Sequence, residues 1–402
     1  MSFRQRFGLC VLVLFGGLFL GACSPGGANN NVNAGVSTFT IGGNIAGLAG
    51  SVVLQNNSGD DLTLTANGAF TFATPLMSGA AYSVTVLTQP AGKNCTISLG
   101  SGTVAGANVT NVVADCVAAS ALIAYVANGI SDDVTTFRID PSTGALSEVG
   151  TAVAAGDEPF SVTVDPTGRF AYVANRISSD VTTFGIDPAT GALSEVGTAV
   201  AAGDEPVSVT VDPTGRFAYV ANQRSDDITT FQIDPTTGAL SEVGTAVAAG
   251  DGPFSITVDP TSLVAYVANS FSNDITTFRI DPTTGALSEV GTVAAGDGPF
   301  SVTVDATSLA AYVANSFSND VTTFRIDPAT GELSAVGSAA AGTTPYSITV
   351  DPTARFVYVA NGISDDVTTF RIDLATGALV EVGTAVAAGT SPHSVTVLGG
   401  TR

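Results

Sequence analysis

Phe160-Ser-Val-Thr-Val-Asp-Pro-Thr-Gly-Arg-Phe-Ala-Tyr-Val-Ala-Asn175 is the stretch that decides the fold. Two runs rich in β-branched and aromatic residues flank Asp165-Pro-Thr-Gly168. Proline presets φ early in such a turn and glycine takes its left-handed position, so the segment reads as a tight hairpin. The hairpin recurs: Tyr-Val-Ala-Asn begins at Tyr125, Tyr172, Tyr219, Tyr266, Tyr312 and Tyr358, at spacings of 47, 47, 47, 46 and 46 residues. In the second unit Phe160 to Val164 is strand A and Arg169 to Asn175 is strand B. Strand C follows at Asp180 to Ile186, and strand D at Leu193 to Val200, after the turn Asp187-Pro-Ala-Thr-Gly191. Four short strands at this period point to the blades of a β-propeller, not to helical repeats or shorter solenoid coils.

The ends of the array over residues 120–398 carry the next expectation. The first unit starts at strand B, near Leu122, and lacks an A strand, while the chain finishes with a surplus one, His393-Ser-Val-Thr-Val397. Docked inside the first unit, that strand closes a ring with no open edge. The fold class is therefore all-β: a six-bladed β-propeller, four strands per blade, closed by the C-terminal strand. A small antiparallel β-sandwich over residues 38–118 precedes it, with strands at Thr38 to Ile45, Ser51 to Gln55, Leu62 to Thr65, Ala69 to Ala73 and Tyr82 to Leu87. Asn67-Gly68 reads as a hairpin turn within it. The segment Tyr82 to Cys95 resembles immunoglobulin-like or transthyretin-like accessory modules of bacterial surface proteins, which implies no catalytic residue; the domain reads as a spacer, with a ligand-binding module as the alternative.

The first 22 residues read as a leader. Arg4 and Arg6 precede an apolar run from Gly8 to Gly21, too short to span a bilayer as a helix. The run ends Leu20-Gly21-Ala22-Cys23, which resembles the lipobox of bacterial lipoproteins. That resemblance implies cleavage before Cys23, lipidation of its sulfur, and a place in the bacterial cell envelope, at the outer membrane, held by the lipid alone. Residues 23–37, rich in Gly and Asn, form a flexible tether. With Cys10 in the leader and Cys23 lipidated, Cys95 and Cys116 remain to form a disulfide in an oxidising compartment.

The chain carries 13 basic and 35 acidic residues, a formal charge of −22. Phosphate backbones are repelled by such a surface, which argues against nucleic-acid binding and against flat adsorption on anionic lipid. Cations and basic partners remain compatible with it.

The six copies of Tyr-Val-Ala-Asn, with (Val/Ile)-Thr-Thr-Phe, Thr-Gly-(Ala/Glu)-Leu and Ser-(Val/Ile)-Thr-Val, resemble the YVTN-type repeat of the lactonase-like propeller family. That family spans 6-phosphogluconolactonase-like enzymes, cell-surface proteins and many members without an assigned role, so the resemblance implies a fold and two readings of function. One is a binding or scaffold module for a protein or small-molecule ligand. The other is a lactone hydrolase acting at the channel mouth.

Loops D–A and B–C share one face of such a propeller. The D–A loops carry Asp157-Glu158, Asp204-Glu205, Asp251 and Asp297, and the B–C loops end in Asp133, Asp180, Asp227, Asp274, Asp320 and Asp366, with Asp132, Asp226 and Asp365 adding charge. Recurrence in every blade points to capping of strand C; a carboxylate ring holding Ca²⁺ is the alternative, and no other cofactor is implied. The first residue of strand A varies: Phe160, Val207, Phe254, Phe300, Tyr346, His393. These side chains either line a pocket or pack between blades. His393, the one histidine, is a candidate general base, and Arg176 and Arg224 are candidate anchors for an anionic substrate. Arg138, Arg279, Arg325 and Arg371 on strand C are expected to pair with nearby carboxylates in solvent.

Overall fold

The computed structural model describes residues 37–90, 93–118, 122–140, 143–305, 307 and 309–396. The expected leader, Cys23 and nearly all of the tether lie outside the described residues, as does Val397. Among the described residues every regular element is a strand, so no helix is long and apolar enough to cross a membrane. The chain divides into two compact units, one ending at Ala119 and one beginning at Ser120.

In the first unit two four-stranded sheets are built from alternating sequences. Val52–Asn56 alternates buried with half-buried residues, so one face of each sheet is apolar. Ile41, Ile45, Val52, Leu54, Phe72 and Val112 form the core. One sheet runs Gly68–Thr71, Ile41–Ala46, Val109–Ala118, Lys93–Ser98; the other runs Asp60–Leu64, Val52–Asn56, Ala81–Thr88, Ser101–Thr103. Two expectations change here. The sandwich is not wholly antiparallel, because Val109–Ala118 pairs parallel with Ile41–Ala46. Asn67-Gly68 does not close a hairpin, because the strands on either side of it belong to different sheets. Asn67 instead ties a crossover: its Oδ1 accepts from the Leu48 N–H at 2.7 Å and its Nδ2 donates to the Leu48 carbonyl at 3.2 Å. Cys95 and Cys116 face each other on neighbouring antiparallel strands and form the disulfide.

The second unit repeats one sheet. Pro159–Val164, Phe170–Asn175, Asp180–Ile186 and Leu193–Glu195 pair in that order, with Val200–Ala201 returning to the third strand. The outer strand thus differs from the single run expected: it breaks at Gly197, which sits at φ +67°. In the two 46-residue units one residue is missing there, and the outer strands Leu287–Ala294 and Leu333–Ala340 run unbroken. The turns are built as their sequences demand. Asp165 Oδ1 accepts from the N–H groups of Arg169 and Phe170, both at 2.7 Å, and the side chain also accepts from Thr167.

Neighbouring blades are joined by a repeated contact. The hydroxyls of five strand-B tyrosines donate to a glycine carbonyl in the C–D turn of the next blade: Tyr125 to Gly191, Tyr172 to Gly238, Tyr219 to Gly285, Tyr266 to Gly331 and Tyr312 to Gly377, at 2.8–3.1 Å. A separate apolar core fills each of these five junctions. Burial pushes the Tyr125 hydroxyl up to about 12 and those of Tyr172, Tyr219 and Tyr266 further, with the nearby Asp165, Asp212 and Asp259 adding to the latter three.

Six blade sheets and five junctions make an open array among the described residues. The strand expected to close the ring does not pair with Leu122–Asn128, since residues 392–396 carry no strand pairing. The segment follows the local repeat instead. Val395 N–H donates to Ser347 Oγ at 3.1 Å, as Val209 donates to Ser161 at 3.3 Å, so it seats beside the preceding A strand as each A strand does. Blade one is uncovered accordingly. Val126 is 42% exposed where its counterpart Val173 is 0% exposed, and Leu146 is 58% exposed where Leu193 is 8% exposed.

Candidate functional site

Each A strand opens with a proline whose pairing is followed by a register shift. Pro159 faces Asn175 and Ser161 faces Ala174, so Phe160 is the extra residue of a β-bulge. The same shift sets Val207, Phe254, Phe300 and Tyr346 apart from their strands. A bulge re-aims the side chain it carries, and here it assembles rings from successive blades. Phe254 and Phe300 stack at 4.3 Å, Phe300 and Tyr346 at 5.7 Å, and Tyr346 and His393 at 4.6 Å. Phe160 meets Phe254 edge-on at 5.7 Å. Val207, in the blade between those two, is 3% exposed and offers no surface to a ligand.

His393 ends the series. It is exposed, and its Nε2 lies 3.2 Å from Ser391 Oγ. Arg176 stands at the other end, its guanidinium 6.0 Å from the Phe160 ring centre. It pairs with Glu158 at 3.3 Å and approaches Glu205 at 3.9 Å; Arg224 approaches Glu205 at 3.8 Å. The two candidate arginines therefore share one carboxylate, and neither is joined to His393 among the described residues.

The six B–C aspartates each serve their own loop. Asp180 Oδ1 accepts from Asn175 Nδ2 at 2.7 Å and from Ser178 Oγ at 3.0 Å, and the pattern recurs at Asp133, Asp227, Asp274, Asp320 and Asp366. Among the described residues no group of three or more His, Cys, Asp or Glu side chains is placed to hold a metal ion. Asp132, Asp226 and Asp365 tie one blade to the next: their Oδ1 atoms accept from the N–H of Glu158, Gly252 and Ser391 at 2.7–2.9 Å. Arg279 and Arg325, expected to pair with carboxylates, reach the carbonyls of Thr330 and Thr376 in the next blade.

Sequence reasoning missed the tips of the B–C loops. The second residue after strand B is Ile130, Ile177, Arg224, Phe271, Phe317 or Ile363, and the five apolar ones are 55–101% exposed. A side-chain type conserved in character while the residue changes from blade to blade was the available signal.

Comparison with known proteins places this architecture. The chain belongs to the family described as lactonase, 7-bladed β-propeller, whose model matches residues 103–211, 201–304 and 245–397. Six blade sheets stand in the described residues where the family description has seven. The periplasmic gluconolactonase of Pseudomonas aeruginosa is 23% identical, with a TM-score of 0.61 over 68% of this chain and 84% of that one. A protein from Lactobacillus plantarum is 20% identical, with a TM-score of 0.61 over 86% and 98%. A functionally unknown protein from Desulfotomaculum acetoxidans is 16% identical, with a TM-score of 0.54 over 68% and 90%. At these identities the likeness is one of fold. No curated protein matches the sequence.

Proposed function

We propose that the chain is a lactone hydrolase of the cell envelope, working on a sugar-acid lactone laid against the Phe300–Tyr346–His393 stack. The observation that carries this reading is that the one histidine of a lactonase-family chain ends a column of stacked rings on the loop-rich face. Aromatic faces suit the C–H faces of a sugar ring, and an imidazole nitrogen can accept a proton as a general base. In the step proposed, His393 takes a proton from water as the water oxygen bonds to the lactone carbonyl carbon. The ring C–O bond then breaks, and the departing alkoxide receives the proton, giving the open hydroxy acid. An envelope location, with Cys23 lipidated and the 38–118 unit as spacer, belongs to the same proposal.

Turnover of aldonolactones by the mature form, residues 23–402, tests it. His393→Ala is expected to lower kcat/KM by about a hundredfold or more, the usual weight of a general base. A lactone panel with no hydrolysis above background overturns it. A second reading, a binding module without turnover, is favoured by the tying of Arg176 and Arg224 to Glu158 and Glu205, away from His393. Under that reading a lactone or sugar acid raises the melting temperature and is recovered unchanged.

A further inference from the structure

We propose that the loop face of blades four and five is a docking surface for an arginine-bearing polypeptide segment. Phe271 and Phe317 top two adjacent B–C loops and are 62% and 60% exposed. Their rings are held in place. Each lies over a glycine of the neighbouring D–A loop, and a Cβ built on Gly252 or Gly298 would stand 2.5 Å from the ring's Cδ2. Where that loop position is Glu158, Glu205 or Thr344, at the same left-handed φ, the tip is Ile177, Arg224 or Ile363. Ring and glycine therefore go together, and the B–C loop tip is aromatic in just these two blades. Phe317 also packs edge-on against Phe300 at 5.5 Å.

A carboxylate accompanies each ring. The Asp251 and Asp297 carbonyls accept from the N–H groups of Phe271 and Phe317, both at 3.0 Å, which places one acid beside each tip. Both aspartates are exposed, and their carboxylates have no hydrogen-bond or ion-pair partner among the described residues. A guanidinium is the group that uses both features at once: its plane stacks on a ring face while its N–H edge meets a carboxylate. The charge of −22 attracts such a segment and repels acidic proteins and anionic lipid. The proposal stands independently of lactone turnover.

Fluorescence anisotropy of a labelled octapeptide of alternating arginine and glycine, titrated with the mature form carrying Cys23→Ser, tests it. The peptide is expected to bind, to weaken as salt rises, and to bind better than its lysine or glutamate counterparts. The double variant Phe271→Ala, Phe317→Ala is expected to weaken it about tenfold, from two lost cation–π contacts. Asp251→Asn with Asp297→Asn is expected to do at least as much and, being exposed and isosteric, leaves packing untouched. Glu195→Gln with Glu242→Gln removes the same charge from the exposed outer strands and is expected to leave affinity unchanged. Absence of binding, equal binding by the phenylalanine variant, or equal weakening by the outer-strand control would overturn the proposal.

Discussion

Tyr219→Phe removes one hydroxyl from a side chain that is 0% exposed and bridges two blades. The ring stays, so the apolar core of the junction keeps its volume. What is lost is a buried hydrogen bond to the Gly285 carbonyl at 3.1 Å, and that carbonyl is left with one partner fewer. A net hydrogen bond contributes about 1 kcal/mol, and an acceptor left unsatisfied adds to the loss, so the variant is expected to be less stable by about 1–2 kcal/mol. Tyr358 occupies the same place in the last blade, where the next C–D turn would belong to blade one. In the open array its hydroxyl does not reach Gly144, and nothing lies within 4 Å of a Cβ built on that glycine. Tyr358→Phe is therefore expected to change stability by no more than about 0.5 kcal/mol. Urea unfolding of the mature form, followed by circular dichroism, measures both. Stability in a repeat array is carried by nearest-neighbour junctions, so midpoints are compared only where the slopes agree. Equal losses for the two variants would refute the reasoning, because they would show that blade six is latched to blade one and the ring is closed.

Further outcomes follow from the same geometry. The latch tyrosines have hydroxyls raised above their ordinary value near 10, so their contribution is fully present below that value. It falls as pH climbs above 10, where the unfolded chain ionises first, and phenolate absorbance is expected to rise together with unfolding rather than before it. Gly250→Ala places a methyl 2.6 Å from both Asn269 Nδ2 and Ser272 Oγ and is expected to cost about 1–3 kcal/mol by thermal melting, as overpacking does. The turn aspartates Asp234 and Asp281 are held below the usual carboxylate range by backbone N–H donors from Thr237 and Thr284. Their contribution is present above the unfolded value and is lost as pH falls through the folded one, so Asp234→Ala is expected to flatten the acid limb of the stability curve. Reducing Cys95–Cys116, which closes a span of 21 residues, is expected to destabilise the first unit by about 3 kcal/mol and leave the blade transition where it was.

Much of the blade was legible in the sequence because its determinants are local. Asp165-Pro-Thr-Gly168 specifies its turn through φ preferences and the aspartate's own hydrogen bonds, and the β-branched runs on either side have no competing helical period. The pairing of Cys95 with Cys116 followed from a count of the cysteines left to the folded chain. Local reasoning stopped where a contact joins residues far apart in the chain. The Asn67-Gly68 turn was read as a hairpin because its chemistry permits one, but the core of the sandwich sends its two arms to different sheets. The bulge that brings Phe254, Phe300 and Tyr346 into a stack arises from register between strands, which a single strand's pattern does not carry. Whether the surplus strand at His393 meets Leu122–Asn128 depends on the rotation summed over five junctions. A small angle at each junction, set by side-chain packing between blades, multiplies along the array, and only the tertiary structure decided where its end would lie.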